Sequence, residues 1–273
     1  MRGWSGPACL LVWFGLAGCP AEPKAPSTPA TCEAGPTLFG RPEAATGLTD
    51  AECGPACTCA GETWEAPAYT DAEVAALRAT TLTTPFDEVS EDPYLTLVPD
   101  EESDETVCAF LGDTSDTYRV ETFATAGDAT RAGGVVTHAG GCGVCSTLTD
   151  LAVYISVNDL TAPARDCGLE HAGGPAADHV ACLQDIGFTL PCAQIWYWNT
   201  LHTQDVCLVE CLAALDDPYN QPDGSLNPCL QCDEDESGPV FKAVAGRTRR
   251  NTGLPNAICR PCEDVRPIEH RYP

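Results

Sequence analysis

Apolar and polar positions divide the chain into stretches of different character. Residues 7–16 (PACLLVWFGL) are almost wholly apolar. That run is too short for a helix crossing a bilayer, which needs about 20 residues, and has the length of an export-signal core. Runs with β-strand character follow at 94–98, 107–111, 118–123 and 135–138, rich in β-branched and aromatic residues. Thr70-Asp71-Ala72-Glu73 is a capping box that opens a helix reaching about Leu82. From Ser146 onward helical periodicity dominates, predicting helices over 146–158, 178–186, 192–215 with a break near Thr200, and 239–251. Ser237 or Gly238 would cap the last of these and Gly253 would end it. The pattern predicts an α+β fold in which short antiparallel strands precede a disulfide-stapled helical region.

The N-terminus specifies an address. Arg2 supplies a short positive region, and the apolar core runs into Leu16-Ala17-Gly18-Cys19. This sequence resembles the lipobox of bacterial lipoprotein precursors. The resemblance implies cleavage after residue 18, a diacylglycerol on Cys19, and a membrane partner reached through that lipid. Pro20, Pro23, Pro26 and Pro29 recur at every third position, the period of polyproline II, and predict an extended tether. In that family an aspartate beside the lipidated cysteine often holds the protein in the inner membrane; Pro20 stands there, which favours the outer membrane. The expected organisation is a signal at 1–18, a lipidated tether at 19–52, and a cysteine-rich domain at 53–273. Within the domain lie an acidic segment at 87–116 and a helical, disulfide-rich unit at 138–273.

Of 18 cysteines, Cys9 would leave with the signal and Cys19 would carry lipid. The remaining even number fits complete pairing, and such density belongs to an oxidising compartment. Aspartate and glutamate number 40 against 14 lysines and arginines, for a net charge of −26. So acidic a body repels nucleic acid, which excludes that class of partner. Half of the basic residues lie after position 238.

Four constellations carry candidate chemistry. In His138-Ala-Gly-Gly-Cys142-Gly-Val-Cys145, a CxxC at a helix start resembles the redox motif of thioredoxin-like proteins. There the helix N-terminus would lower the pKa of Cys142, and His138 would add positive charge. An inert CxxC bond or two separate structural bonds are the alternatives. Cys229-Leu-Gln-Cys232 and Cys259-Arg-Pro-Cys262 have the form of zinc knuckles, with disulfides as the other reading. Lys242, Arg247, Arg249 and Arg250 form a basic run. It either offsets the dipole of a helix preceded by Asp233, Glu234, Asp235 and Glu236, or binds an anion, with the chain's own 87–116 segment as one such anion. Ile195, Trp198, His202, Val206 and Val209 share a helical stripe, on which His202 reads as a hydrogen-bonded core residue. Cys207 and Cys211, four apart, read as a clamp between neighbouring elements.

GGCGVCS, GFTLPCAQIWYWNT, LNPCLQC and SGPVFKAVAGRTRRNTGLPNAICRPC resemble stretches of uncharacterised cysteine-rich secreted microbial proteins. That likeness implies that 138–273 is one unit. No resident cofactor is expected. Two functions remain open: a non-catalytic, lipid-anchored binding or surface-structural domain whose protein or small-ligand partner the sequence does not name, and an extracytoplasmic thiol–disulfide oxidoreductase using Cys142 and Cys145.

Overall fold

The computed structural model describes residues 38–99 and 103–272; the signal, Cys19 and most of the tether fall outside them. The fold is α+β. A four-stranded sheet has the order β5-β7-β6-β8, from β5 (Thr81–Leu82), β6 (Val107–Gly112), β7 (Thr117–Phe123) and β8 (Val135–Ala139). β6 pairs antiparallel with both neighbours, Cys108 facing Thr122 on one side and His138 on the other. The three longer strands lie where the alternation predicts them. The fourth run, 94–98, is not a strand. Pro93 opens a single 3-10 turn over Pro93–Leu95, capped by Asp92, and Leu95 and Val98 face solvent.

Helices cover this sheet. α1 (Asp71–Ala79) starts with the expected capping box, Thr70 and Glu73 bonding reciprocally. α2 (Ala126–Arg131) packs beside β8. α3 (Leu148–Ser156) is the centre of the core: Leu148, Leu151, Ala152, Val153 and Tyr154 are all buried. A helix apolar on nearly every side must be enclosed, and α3 lies between α1, the sheet and the later helices. α4 (Thr161–Glu170), α5 (Ala176–Ile186) and α6 (Leu190–Val206) pack in turn on one another. The sequence pattern hides α4 behind Pro163 and Gly168. Pro163 sits in the first turn, where its missing N–H costs nothing. Gly168 brings α4 close to α6, since a Cβ there would meet the Thr200 methyl at 2.8 Å.

α6 breaks at Cys207 rather than near Thr200, whose hydroxyl donates to the Trp196 carbonyl within an unbroken helix. The break starts α7 (Leu208–Ala213). The disulfides Cys207–Cys232 and Cys211–Cys229 then clamp its first turn crosswise onto α8 (Pro228–Cys232), the role expected of cysteines four apart. Further along the predicted stripe Val206 and Val209 are exposed; α7 presents this side to solvent.

Residues 38–52, expected in the tether, belong to the folded body. β1 (Leu38–Phe39) joins β2 (Cys53–Gly54) on one side and β9 (Arg260–Pro261) on the other. Phe39 is buried, and buried Thr46 donates to the Ala257 carbonyl. β3 (Ala56–Cys59) and β4 (Glu62–Glu65) form an adjacent hairpin. Cys53–Cys259 and Cys57–Cys262 close separations of 206 and 205 residues. A loop of that length is worth about 5 kcal/mol in the chain-entropy account. The second bond then closes only a short loop and adds less. These bonds tie the N-terminal strands to the C-terminus, so 138–273 is part of a larger unit.

The last helix, α9 (Gly238–Ala245), ends at Gly246 rather than near Asn251. Gly246 has φ +69°, a left-handed conformation suited to glycine. The C-terminal carbonyls of α9 are capped from outside: Val144 and Cys145 donate their amides to Val244 and Ala245, both at 2.9 Å. Gly143 permits that approach, because a Cβ on it would collide with the Val244 carbonyl. Gly143→Ala should therefore lower stability by about 3 kcal/mol or more, read from the denaturation midpoint. Gly127→Ala, in α2 with no close neighbour, should be neutral or raise it by up to about 1 kcal/mol. Equal midpoints for the two variants would contradict this account of the junction.

Candidate functional site

The CxxC cysteines do not pair with each other. Cys142 bonds Cys108 of β6, and Cys145 bonds Cys192 of α6. The helix that would have activated the first thiol starts only at Leu148, with Thr147 as its cap. His138 supplies no positive charge. It is fully buried, and burial first, then nearby Arg247, hold its pKa well below the ordinary value. Its Nδ1 donates to the Ala139 carbonyl at 3.0 Å, which leaves Nε2 to accept from the Ser146 hydroxyl at 2.7 Å. The motif is a junction, and it offers no dithiol pair for exchange.

The zinc reading fails for a similar reason. Cys229 and Cys232 bond α7, while Cys259 and Cys262 bond Cys53 and Cys57. All four sulfurs are held in disulfides, so none is a thiolate. Glu170, His171 and Cys182 lie close together, but Cys182 is bonded to Cys167.

The basic run divides into parts with different roles. Arg247 enters the core with 0% exposure. Its guanidinium donates to the carbonyls of Cys145 and Thr137 and to the hydroxyls of Thr137 and Thr252, at 2.5–3.2 Å. It is a structural fork with no face toward a ligand. Arg249 and Arg250 fold back onto Glu234, at 2.7 and 3.1 Å. For Arg249 and Arg250 the intramolecular anion is therefore Glu234. The start of the 87–116 segment docks on the polar face of α6, and its Pro99, Ser103 and Asp104 lie in the same cleft as these arginines. Val89 donates its amide to Gln194 and accepts from the Trp198 indole at its carbonyl. The Tyr94 hydroxyl donates to Asn199. His202 stacks on Tyr94 with ring centroids 4.1 Å apart and bonds the Ser237 hydroxyl, a half-buried polar contact as the stripe implied.

Around Glu234 lies a cleft of about 570 Å³, within the usual size of ligand sites. Pro239 shapes one wall. In the continuous helical run from α8 to α9 a proline lacks the amide to bond Asp235 and would clash with its carbonyl. The chain widens there into a π turn over Asp233–Ser237. Asp233 accepts from Asn199 and Thr203. Lys242 and Phe241 of α9, Trp196 of α6 and Tyr154 of α3 also line it, together with Pro99, Ser103 and Asp104 of the acidic segment. Phe241 meets Trp196 edge-on at 5.3 Å.

Three polar atoms of this lining are buried: Arg249 Nε has no hydrogen-bond partner among the described residues, while the Tyr154 hydroxyl and the Trp196 indole N–H face each other outside good hydrogen-bond geometry. Burial pushes the Tyr154 phenol well up, with Arg247 and the nearby indole N–H of Trp196 pulling against it. Glu234 is held below the ordinary carboxylate range: burial opposes this, and Arg249 and Arg250 outweigh it. Trp196, Tyr154 and Glu234 escape a reading of the sequence, because aromatic residues at helical spacing look like core and acids before a helix look like dipole compensation. Only the folded chain shows them converging.

Residues 176–268, about a third of the chain, match a family of unknown function (DUF8771). The matched stretch includes Trp196, the π turn, α9 and the arginines, while Tyr154 lies outside it. No curated protein and no solved structure matches the chain.

Two predictions follow from this geometry. Peptide mapping of unreduced protein should recover Cys108–Cys142 and Cys145–Cys192; a Cys142–Cys145 peptide would contradict the junction. Acid should destabilise the fold. His138 and His270 are both buried and neutral, the latter held down to about 3 by burial and Arg247. In the unfolded chain each protonates near pH 6.5. Their contribution is thus complete above that pH and falls by about 1.4 kcal/mol per pH unit for each below it, for His270 down to about pH 3. Asp150, raised by burial to about 6, acts oppositely, since it takes up a proton more readily when folded. Two histidines against one aspartate leave a net loss, so denaturation midpoints should fall between pH 6.5 and 4. A constant or rising midpoint would contradict it.

Proposed function

We propose that this chain is a lipid-anchored, non-catalytic binding module of the bacterial envelope, sited at the outer membrane. Its coarser character rests on the disulfides. Cys59 is disulfide-bonded in addition to the seven pairs described, so every described cysteine is oxidised, as in a cysteine-rich extracytoplasmic domain. No helix among the described residues is long and apolar enough to cross a membrane, and attachment is assigned to the lipid on Cys19.

The observation that carries the binding reading is the cleft at Glu234. Buried polar groups are almost always satisfied, yet in this lining Arg249 Nε has no acceptor among the described residues and the Tyr154 hydroxyl and Trp196 indole have only each other, in poor geometry. An incoming ligand group or water would complete them. Access supports the non-catalytic part of the reading. The two serines that touch a histidine, Ser146 and Ser237, are both fully buried and out of reach of a substrate. The oxidoreductase alternative loses its dithiol to Cys108 and Cys192.

Anchoring is tested by Cys19→Ser, expressed with the native signal. The wild type should take up labelled palmitate and sediment with outer-membrane fractions, while the variant stays unlabelled and appears as soluble or unprocessed protein. Unchanged fractionation of the variant, or no label on the wild type, would refute the anchor.

A further inference from the structure

Among the arginines near Glu234, Arg260 of β9 stands apart. It is 6% exposed, and its guanidinium makes no hydrogen bond or ion pair with another described residue. A nine-tenths buried guanidinium normally has an acceptor. Burial, with Arg249 and Arg250 beside it, lowers its pKa to about 9. The backbone cannot carry it out to water, because Cys259 and Cys262 on either side are bonded to Cys53 and Cys57. Arg260 instead lines a pocket of about 170 Å³. That pocket shares Glu234, Arg249, Arg250 and Asp264 with the larger cleft.

Charge narrows what fits there. Arg249, Arg250 and Arg260 face only Glu234 and Asp264 in the small pocket, an excess of one positive charge on a molecule of −26. One negative charge balances these described side chains of the small pocket. Arg249 Nε, buried and without an acceptor among the described residues, calls for an acceptor oxygen. Guanidinium groups bind planar or tetrahedral oxyanions through paired N–H bonds. Beside them, the Trp196 and Phe241 rings and Leu160 offer apolar surface to whatever the anionic group is attached to.

Resting on the cleft as the binding site, we propose that its ligand is an organic acid with a singly charged oxyanion, a carboxylate or a sulfate ester. The oxyanion docks on Arg249, Arg250 and Arg260, and the apolar body lies against Trp196 and Phe241. The disulfides beside Arg260 hold the acceptor-seeking group in position before the ligand arrives, so little ordering cost falls on binding.

The test is calorimetric titration of the mature protein with 2-naphthoate, 2-naphthyl sulfate, the uncharged 2-naphthalenemethanol, and inorganic sulfate. Both organic anions should bind about tenfold or more tighter than the alcohol, as charge-assisted hydrogen bonds imply. Whichever of the two binds tighter identifies the oxyanion. Arg260→Gln should erase that preference by weakening the anions about tenfold or more while changing the alcohol's affinity far less, and Trp196→Leu should weaken all three. If Arg260→Gln fails to fold, Arg250→Gln, at a half-exposed side chain, should still reduce the preference severalfold. Equal binding of alcohol and anions would overturn the oxyanion assignment and leave the cleft intact as a binding site. So would unchanged anion binding by the arginine variants, or inorganic sulfate binding as tightly as the organic anions. No binding of any naphthyl probe would overturn the cleft reading together with this one.

Discussion

A guanidinium with no water around it is the constraint on which the rest of this fold depends. Burying an isolated charge is among the costliest acts in folding, tolerable only when every donor is met. Arg247 comes close to that condition without a carboxylate partner, four of its five N–H groups meeting two carbonyls and two hydroxyls. Those acceptors lie on β8, on the loop before α3, and after α9. None can shift without stranding a charged donor, so one side chain fixes three distant segments relative to one another. The left-handed Gly246 directs the chain inward at that point, and Gly143 lets the neighbouring loop close over it. Tyr272 and His270 seal the same region: the Tyr272 hydroxyl donates to Thr137, and His270 bonds the Thr252 carbonyl.

The disulfides reinforce this junction from its edges. Cys108–Cys142 and Cys145–Cys192 attach the loop over Arg247 to β6 and to α6. Beside the second bond, buried Asp150 accepts from Thr147 at the start of α3 and from Thr189 just ahead of α6. A covalent bond and a polar cluster thus hold the same two helix starts. Cys167–Cys182 joins α4 to α5, and two rungs join α7 to α8. The bonds are spread over the whole body, which suits resistance to local opening where no cytosolic machinery repairs a nicked chain.

What the sequence discloses follows from the range of each interaction. Strands β6, β7 and β8, the capping box at Thr70 and the helix through Leu148 are set by neighbouring residues, and alternation or spacing reveals them. The crosswise clamp by Cys207 and Cys211 is legible because i and i+4 share a helix face. The pairing of Cys142 and Cys145 is not, because a CxxC at a helix start looks alike whether its sulfurs meet each other or two distant partners. Arg247 and Arg249 are two residues apart, yet one is sealed in the core and the other lines the cleft. Only the turn at Gly246 separates their fates. The residues 38–52 look like tether because short edge strands carry little pattern, and their partners arrive more than 200 positions later.

The cleft gathers places where ordinary local rules are not met. Its wall is a π turn, a widened geometry that is rare and frequent at functional positions. Its lining contains Arg249 Nε, a buried donor without an acceptor among the described residues, and its margin holds Arg260, buried near Glu234 and Asp264 but bonded directly to neither. Elsewhere the same chain caps helices with care, at Thr70, Thr147 and Asn227, and supplies Arg247 with four acceptors. Outside this hollow, buried side-chain atoms without a partner among the described residues are isolated ones, at Asn158 and His179. Sequences that obey local rules throughout depart from them where a second component completes the arrangement. The concentration of unmet donors and one excess positive charge at Glu234 therefore argues for an acceptor from outside the chain.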